Sequence, residues 1–518
     1  MPNISLSSLT AATLPDDILC ELFEHVAAID PAGWNKNNDK GRGKTVLGWI
    51  VVTHVCHRWR STCLGMSYLW AHIASSFHDP SIADVILSRA GDAPLTIGVG
   101  DPSYEEDPIR LPISWGVRRL DRAHTFICNA LWPPLPDDDP QDTMPLTYSY
   151  PALQRVQFRV FRREIYDDWN APTVKILEPL IIELSTPTLV SAGFEDALPS
   201  FLSSPSALRK LKLALDHMHS VSTADILSIL RMATHLEELV LNLYGLDTRP
   251  AKDLVVVLLP RLHVFNLHCR GLKQARRFLD LISAPNATEV MVDIHDNRGF
   301  SKPVANELSA FVAARHRVTP YTELFLNPSS DEPLIVSGTS LPDARHELKF
   351  SCDDDVRMSI LLAMLPRHLD LAQFTTLHMG CADNFGTSPG GALDRFLGAC
   401  TNVDFLDLFH EEHEETLALL ARVTRASKPA MLPALNILRL EPLELTGREL
   451  HKWWDAVQDT LEKRRRKVGH AVQRLVLMGK QRSNQSVVTD WMARVEECRS
   501  RGLASEVVDE RQWTLESD

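Results

Sequence analysis

One six-residue pattern recurs along most of this 518-residue chain: apolar residues at positions one, four and six, with variable residues between them. It reads LQRVQF at 153, LRKLKL at 208, LEELVL at 236, LHVFNL at 262, ATEVMV at 287 and YTELFL at 321. It continues as RHELKF at 345, FTTLHM at 374, VDFLDL at 403, LNILRL at 435 and VQRLVL at 472. Starts from 208 to 403 are 28, 26, 25, 34, 24, 29 and 29 residues apart, and the last gaps are 32 and 37. The period-two alternation marks each copy as a strand with one buried face. Residues 222–235, 271–286, 355–365 and 390–400 carry apolar side chains at helical spacing between the strands. A lone strand–helix unit cannot cover its own apolar face, so such a chain must stack each unit on its neighbours.

A strand and a helix at this spacing resemble the leucine-rich repeat. The resemblance implies an α/β fold, an irregular solenoid with a parallel sheet over residues 151–480. The usual asparagine after the last leucine is absent from every copy. The competing reading is a non-repeating α/β domain, but no glycine-rich phosphate loop follows any of these strands. Such a surface suits protein binding, read out by the variable strand positions. The candidates for contact with a target protein are Arg209, Lys212, Glu237, His263, His268, Asp404 and Arg439.

The first 75 residues break this rhythm. In LPDDILCELF, residues 14–23, Pro15 fits a first helical turn and Thr13 precedes it as a cap. Asp16 and Asp17 complement the positive helix end, and Ile18, Leu19, Leu22, Phe23 and Val26 recur at helical spacing. Residues 30–48 are polar and read as a long surface loop, and helical spacing resumes over 49–73. Leu14-Pro15, Ile18-Leu19, Leu22-Phe23, Val55-Cys56, Trp59-Arg60 and Leu69-Trp70 together resemble an F-box. The 30–48 insert lengthens the usual link between helices, as in large fungal families of F-box proteins.

The resemblance implies a three-helix module that docks on a Skp-type adaptor and, through it, a cullin. Leu14, Pro15, Ile18, Leu19 and Leu22 supply the first contact stripe in this reading. Val55, Cys56 and Trp59 supply the second, and Trp70 closes the module or joins the interface. The implied function is the non-catalytic substrate-recognition subunit of an SCF-type E3 ubiquitin ligase. The alternative is an F-box scaffold without a degradation role. The expected organisation is a tail at 1–12, the F-box at 13–75 and a linking region at 76–150 with an acidic, proline-rich loop. The repeat region follows at 151–480, and a C-terminal helix and cap at 481–518.

Charge and motifs narrow the function classes. A net charge of −13 disfavours general nucleic-acid binding. Nine cysteines without a C-x-x-C pair fit a reducing compartment, cytoplasmic or nuclear, better than a zinc module or a disulfide framework. With no apolar run of about 18 residues and no basic, apolar leader, neither a membrane span nor a signal peptide is expected. GRGKT at 41–45 ends like a phosphate loop, but Asn38 stands where that loop needs glycine. HEEHEE at 410–415 lacks H-E-x-x-H spacing and reads as a solvated helix start. KRRRK at 463–467 reads as a solvated helix face, and Trp453 and Trp454 as the anchor of that helix. No cofactor, metal or catalytic residue is expected.

Overall fold

All eleven copies of the pattern are strands in the computed structural model. It describes residues 14–35, 44–100, 111–132, 147–162, 180–216, 221–244, 254–296, 301–327, 334–338, 345–352, 358–380, 391–409, 431–441, 447–478, 480–483 and 485–515. The protein is mixed α/β and divides into two compact units, Met1–Leu262 with Leu281–Asn286, and His263–Asp280 with Ala287–Asp518. The division falls inside the region expected to be one continuous repeat.

The first unit opens with α1 (Asp16–Ile29), a 3-10 turn (Gly48–His54), α2 (His57–Gly65), α3 (Ser67–His72) and α4 (Pro80–Ala90). The insert expected to be loop is pinched shut instead: Gly33–Asn35 pairs antiparallel with Lys44–Val46. The cause lies at its base, where Trp49 N–H donates to the Asp30 carbonyl at 2.8 Å. Gly48 adopts φ +51° there, and a Cβ would lie 2.6 Å from the Pro31 carbonyl carbon. Only glycine meets both demands. Phe23 packs edge-on to Trp59, with centroids 5.4 Å apart, and Trp49 to Trp70 at 4.9 Å.

Six strands of one sheet follow: β1 (Leu95–Gly100), β2 (Ala123–Trp132), β3 (Arg155–Arg162), β4 (Ser191–Glu195), β5 (Lys210–Ala214) and β6 (Glu238–Leu243). They run parallel in chain order, each hydrogen-bonded to the next. Helix α5 (Thr223–Met232) sits between the last two, started by a Ser222–Asp225 capping box. The described parts of the expected linking region, residues 76–150, belong mainly to this sheet and its helices. They supply β1 and β2, and Ser75 Oγ accepts the Gly98 N–H at 2.6 Å, which ties the helical module to the sheet.

The second unit contains β7 (Val264–Arg270), α6 (Leu272–Leu281), β8 (Glu289–Asp296), α7 (Lys302–Val318), β9 (Glu323–Leu326), β10 (Leu334–Gly338) and β11 (Arg345–Cys352). After them come α8 (Met358–His368), β12 (Thr376–Gly380), α9 (Ala392–Ala399), β13 (Phe405–Phe409) and β14 (Ile437–Glu441). The unit ends with α10 (Gly447–Val468), β15 (Val472–Leu477), α11 (Gln485–Ser500) and β16 (Ala504–Asp509). The strand order is β7-β8-β11-β10-β9-β12-β13-β14-β15-β16. The expected wholly parallel sheet fails at β10, which is antiparallel to both β9 and β11. Between YTELFL and RHELKF the chain adds a strand, β10, and the links on either side of it are short, the kind that joins antiparallel neighbours.

Positions four and six point inward throughout: Leu324, Leu326, Leu377, Met379, Leu406 and Leu408 are all 0% exposed. Burying each is worth about 1.5–3 kcal/mol. Positions three and five face the other way. At the C-terminal end, Trp453 and Trp454 pack on Trp491, and the Arg511 guanidinium lies 3.4 Å from the Trp491 ring centroid. The KRRRK run is a solvated face only in part, at exposed Lys463 and Arg466. Arg464 is buried and donates to the carbonyls of Met431 (3.3 Å), Leu432 (2.8 Å) and Leu435 (3.3 Å). Those bonds hold a turn in which Leu432 has φ +47°. Arg465 donates to the Arg501 carbonyl at 2.7 Å, and Lys463 and Arg466 pair with Asp459 and Glu462 along the helix.

Candidate functional site

The N-terminal module sorts its apolar residues into two classes. Leu19 and Trp59, expected on the adaptor stripes, lie in the core, and so does Trp70, expected to close the module or join the interface. Trp59 fills the space beside Phe23, and Trp70 packs on Trp49 and donates Nε1–H to the Cys63 carbonyl at 2.9 Å. Sequence spacing marks such residues as apolar but does not say which side of the helix is covered. Leu14, Leu22 and Cys56 are half-buried, and the Cys56 thiol accepts from Trp59 N at 3.5 Å as the cap of α2. Pro15, Ile18 and Val55 are exposed, Ile18 by 43% and Val55 by 57%. Val51, outside the predicted set, is exposed as well. Arg58 at the start of α2 reaches Asp16 at the start of α1 (2.7 Å), so the two helix starts lie together. Close by, burial and the neighbouring Asp16, Glu24 and Asp17 raise the Cys20 pKa, so it stays a thiol. Burial and a hydrogen bond to Glu24 keep Tyr68 protonated.

The seven candidate target contacts divide between the two units. Arg209, Lys212 and Glu237 lie in the first unit, and His263, His268, Asp404 and Arg439 in the second. Arg209 and Glu237 stand at the entrances of β5 and β6, 3.2 Å apart. Lys212 lies 3.6 Å from Glu195 on β4. His263 and Asp404 are exposed just before β7 and β13. His268 pairs with Asp293 of β8 at 3.1 Å.

Arg439 belongs to a cluster that spacing alone did not reveal. Phe325, His378, Asp407 and Arg439 share one register line across β9, β12, β13 and β14. His378 Nδ1 lies 2.9 Å from Asp407 Oδ2, and Arg439 Nη1 lies 3.5 Å from the same oxygen. The Phe325 ring stacks on Phe409 at 5.0 Å, and the Phe405 ring sits 5.6 Å from the His378 ring. Asp407 thus fixes the histidine with its proton on Nδ1 and neutralises the arginine. Each residue occupies position three or five of its strand, or follows position six. The pattern did locate the face, but not which residues on it meet.

No group of three or more His, Cys, Asp or Glu that could hold a metal occurs among the described residues. GRGKT is described only at Lys44 and Thr45, which belong to the insert hairpin, and HEEHEE lies outside the described residues. No helix among the described residues is long and apolar enough to cross a membrane. No protein-family model matches the chain, and no curated protein matches it.

Proposed function

We propose that this chain is the non-catalytic substrate-recognition subunit of an SCF-type ubiquitin ligase. The observation that carries the reading is the exposed apolar set Pro15, Ile18, Val51 and Val55. It sits on a helical module whose core is already filled by Phe23, Trp49, Trp59 and Trp70. Exposed apolar residues on a small module whose core is already filled favour a covering partner. The F-box resemblance supplies that partner's class, a Skp-type adaptor. The stacked strand–helix units, an irregular leucine-rich solenoid in this reading, turn variable strand positions outward to hold a target protein. Catalysis then works by positioning, since holding the target near the ubiquitin-bearing enzyme raises its effective concentration.

The test is calorimetric titration of the full chain with a Skp-type adaptor, comparing wild type with Ile18→Glu/Val55→Glu. Both side chains are exposed, so circular dichroism should show the variant folded as wild type. Binding by the wild type and a loss of about a hundredfold or more in the variant is the expected result. No binding by the wild type, or equal binding by both, defeats the proposal.

A further inference from the structure

We infer that the outward face of the first unit's sheet binds an extended, acidic segment of a partner protein, with one carboxylate seated in a hollow over Gly193. The hollow has a volume of about 310 Å³ and includes Gln157, Ser191, Gly193, Glu195, Lys210 and Lys212 in its lining. It arises from one missing side chain. In register, Gly193 of β4 stands between Gln157 of β3 and Lys212 of β5, so that line of side chains is interrupted in the middle. The backbone does not require glycine there. Its φ lies outside the left-handed region, and a Cβ would meet only Gln157 Cγ, at 3.7 Å, an ordinary contact. A glycine that neither conformation nor crowding requires provides space.

Charge selects the occupant. The outward positions of β3 to β6 hold Arg155, Arg159, Lys210 and Lys212 against Glu195 and Glu238. This local positive excess stands on a chain whose net charge is −13. Both acids are engaged already, Glu195 by Arg159 and Lys212, and Glu238 by Lys210. The Lys212 pair is loose, at 3.6 Å with the side chain 49% exposed, so its ammonium can turn to a second carboxylate. The Gln157 amide and Ser191 hydroxyl add neutral donors to the same hollow. A carboxylate gains charge-assisted bonds there, and a neutral amide of equal size does not.

The inference deepens the receptor reading and rests on it only for calling the bound segment a substrate. The binding itself needs no adaptor, so the two can fail separately. The experiment is fluorescence anisotropy of the full chain with a labelled decapeptide alternating Glu and Ser, beside its Gln–Ser counterpart. The acidic peptide should bind about tenfold more tightly, and salt near 0.5 M should erase the difference. Lys212→Glu should weaken the acidic peptide about five- to tenfold. Gly193→Val should fill the hollow and abolish the preference while leaving the circular dichroism spectrum unchanged. Arg276→Glu, an equal charge change on exposed α6, should leave binding as it was. Equal affinity for the two peptides, binding of neither, or a preference that survives Gly193→Val overturns the inference. So does an Arg276→Glu effect as large as that of Lys212→Glu.

Discussion

Replacing Arg464 by methionine tests whether a buried charge holds the second unit together or merely survives in it. The side chain is 3% exposed, and burial lowers its pKa from the ordinary 12.5 to about 10. That shift corresponds to about 3 kcal/mol against keeping the guanidinium charged at neutral pH. In return it makes three bonds of 2.8–3.3 Å to the Met431, Leu432 and Leu435 carbonyls, and a 3.5 Å bond to the Pro433 carbonyl offsets in part its unpartnered Nε. A hydrogen bond from a charged donor contributes about 1.5–3 kcal/mol. Three of them exceed the desolvation cost, leaving a balance of about 2–4 kcal/mol after allowing for the longer two. Methionine fills similar volume without the charge, so Arg464→Met should destabilise the region by that amount. Hydrogen exchange of the Asn436 and Ile437 amides, which bond to the Asp404 carbonyl at 2.8 Å, reads the effect locally. Their exchange should accelerate roughly 30- to 700-fold, while β5 amides in the first unit serve as an unchanged reference. The sign decides the matter. If the bonds do not offset desolvation, methionine relieves a buried charge and protection rises. Unchanged or slower exchange at residues 436 and 437 refutes the reasoning.

Two further outcomes follow from single residues. Gly48→Ala forces a side chain into a φ of +51° and against the Asp30 and Pro31 backbone at 2.6 Å. It should cost about 2 kcal/mol or more and deprotect the Trp49 amide, read by hydrogen exchange. Burial, and then the charge of Arg315, lowers the His346 pKa below its unfolded value of about 6.5. The unfolded chain therefore takes up this proton first, so His346 contributes full stability above about pH 7 and loses it as pH falls through about 6.5. His346→Gln should flatten the decline in melting temperature between about pH 7 and pH 5, and an unaltered pH slope counts against the assignment.

Strands with large apolar residues at positions four and six were legible in the sequence, and those with smaller ones stood out less. In β4 the inward residues are Ala192 and Phe194, and in β2 they are Phe126 and Cys128, all buried. The buried face needs filling, not leucine, so a pattern keyed to leucine leaves β4 and β2 out of the repeat series. The antiparallel β10 was hidden for a different reason. The 24-residue gap that contains it is barely shorter than the 25-residue gap that holds α6, so spacing does not tell an added strand from a crossover helix. Contacts between residues on neighbouring strands were out of reach. His378 and Asp407 are 29 residues apart, and Arg209 and Glu237 are 28. Their meeting depends on strand register, which hydrogen bonding across the sheet fixes. In the N-terminal module, periodicity found the apolar residues of α1 and α2. Covered Leu19 and exposed Ile18 differ only by one step around a helix.

The reversal around β10 sets a timetable for synthesis. β8 is complete at Asp296, yet its neighbour β11 does not begin until Arg345, about 50 residues later. At about 5–20 residues per second, a ribosome leaves the free edge of β8 without its mate for roughly 3–10 s. During that interval β9 emerges with apolar residues, Leu324 and Leu326, at the same inward positions as those of β8. Pairing β8 with β9 gives the uninterrupted parallel order that the repeat spacing suggests, and it strands β10 and β11 outside the sheet. The nascent chain must keep that edge unpaired, or undo a wrong pairing, before the native order can close.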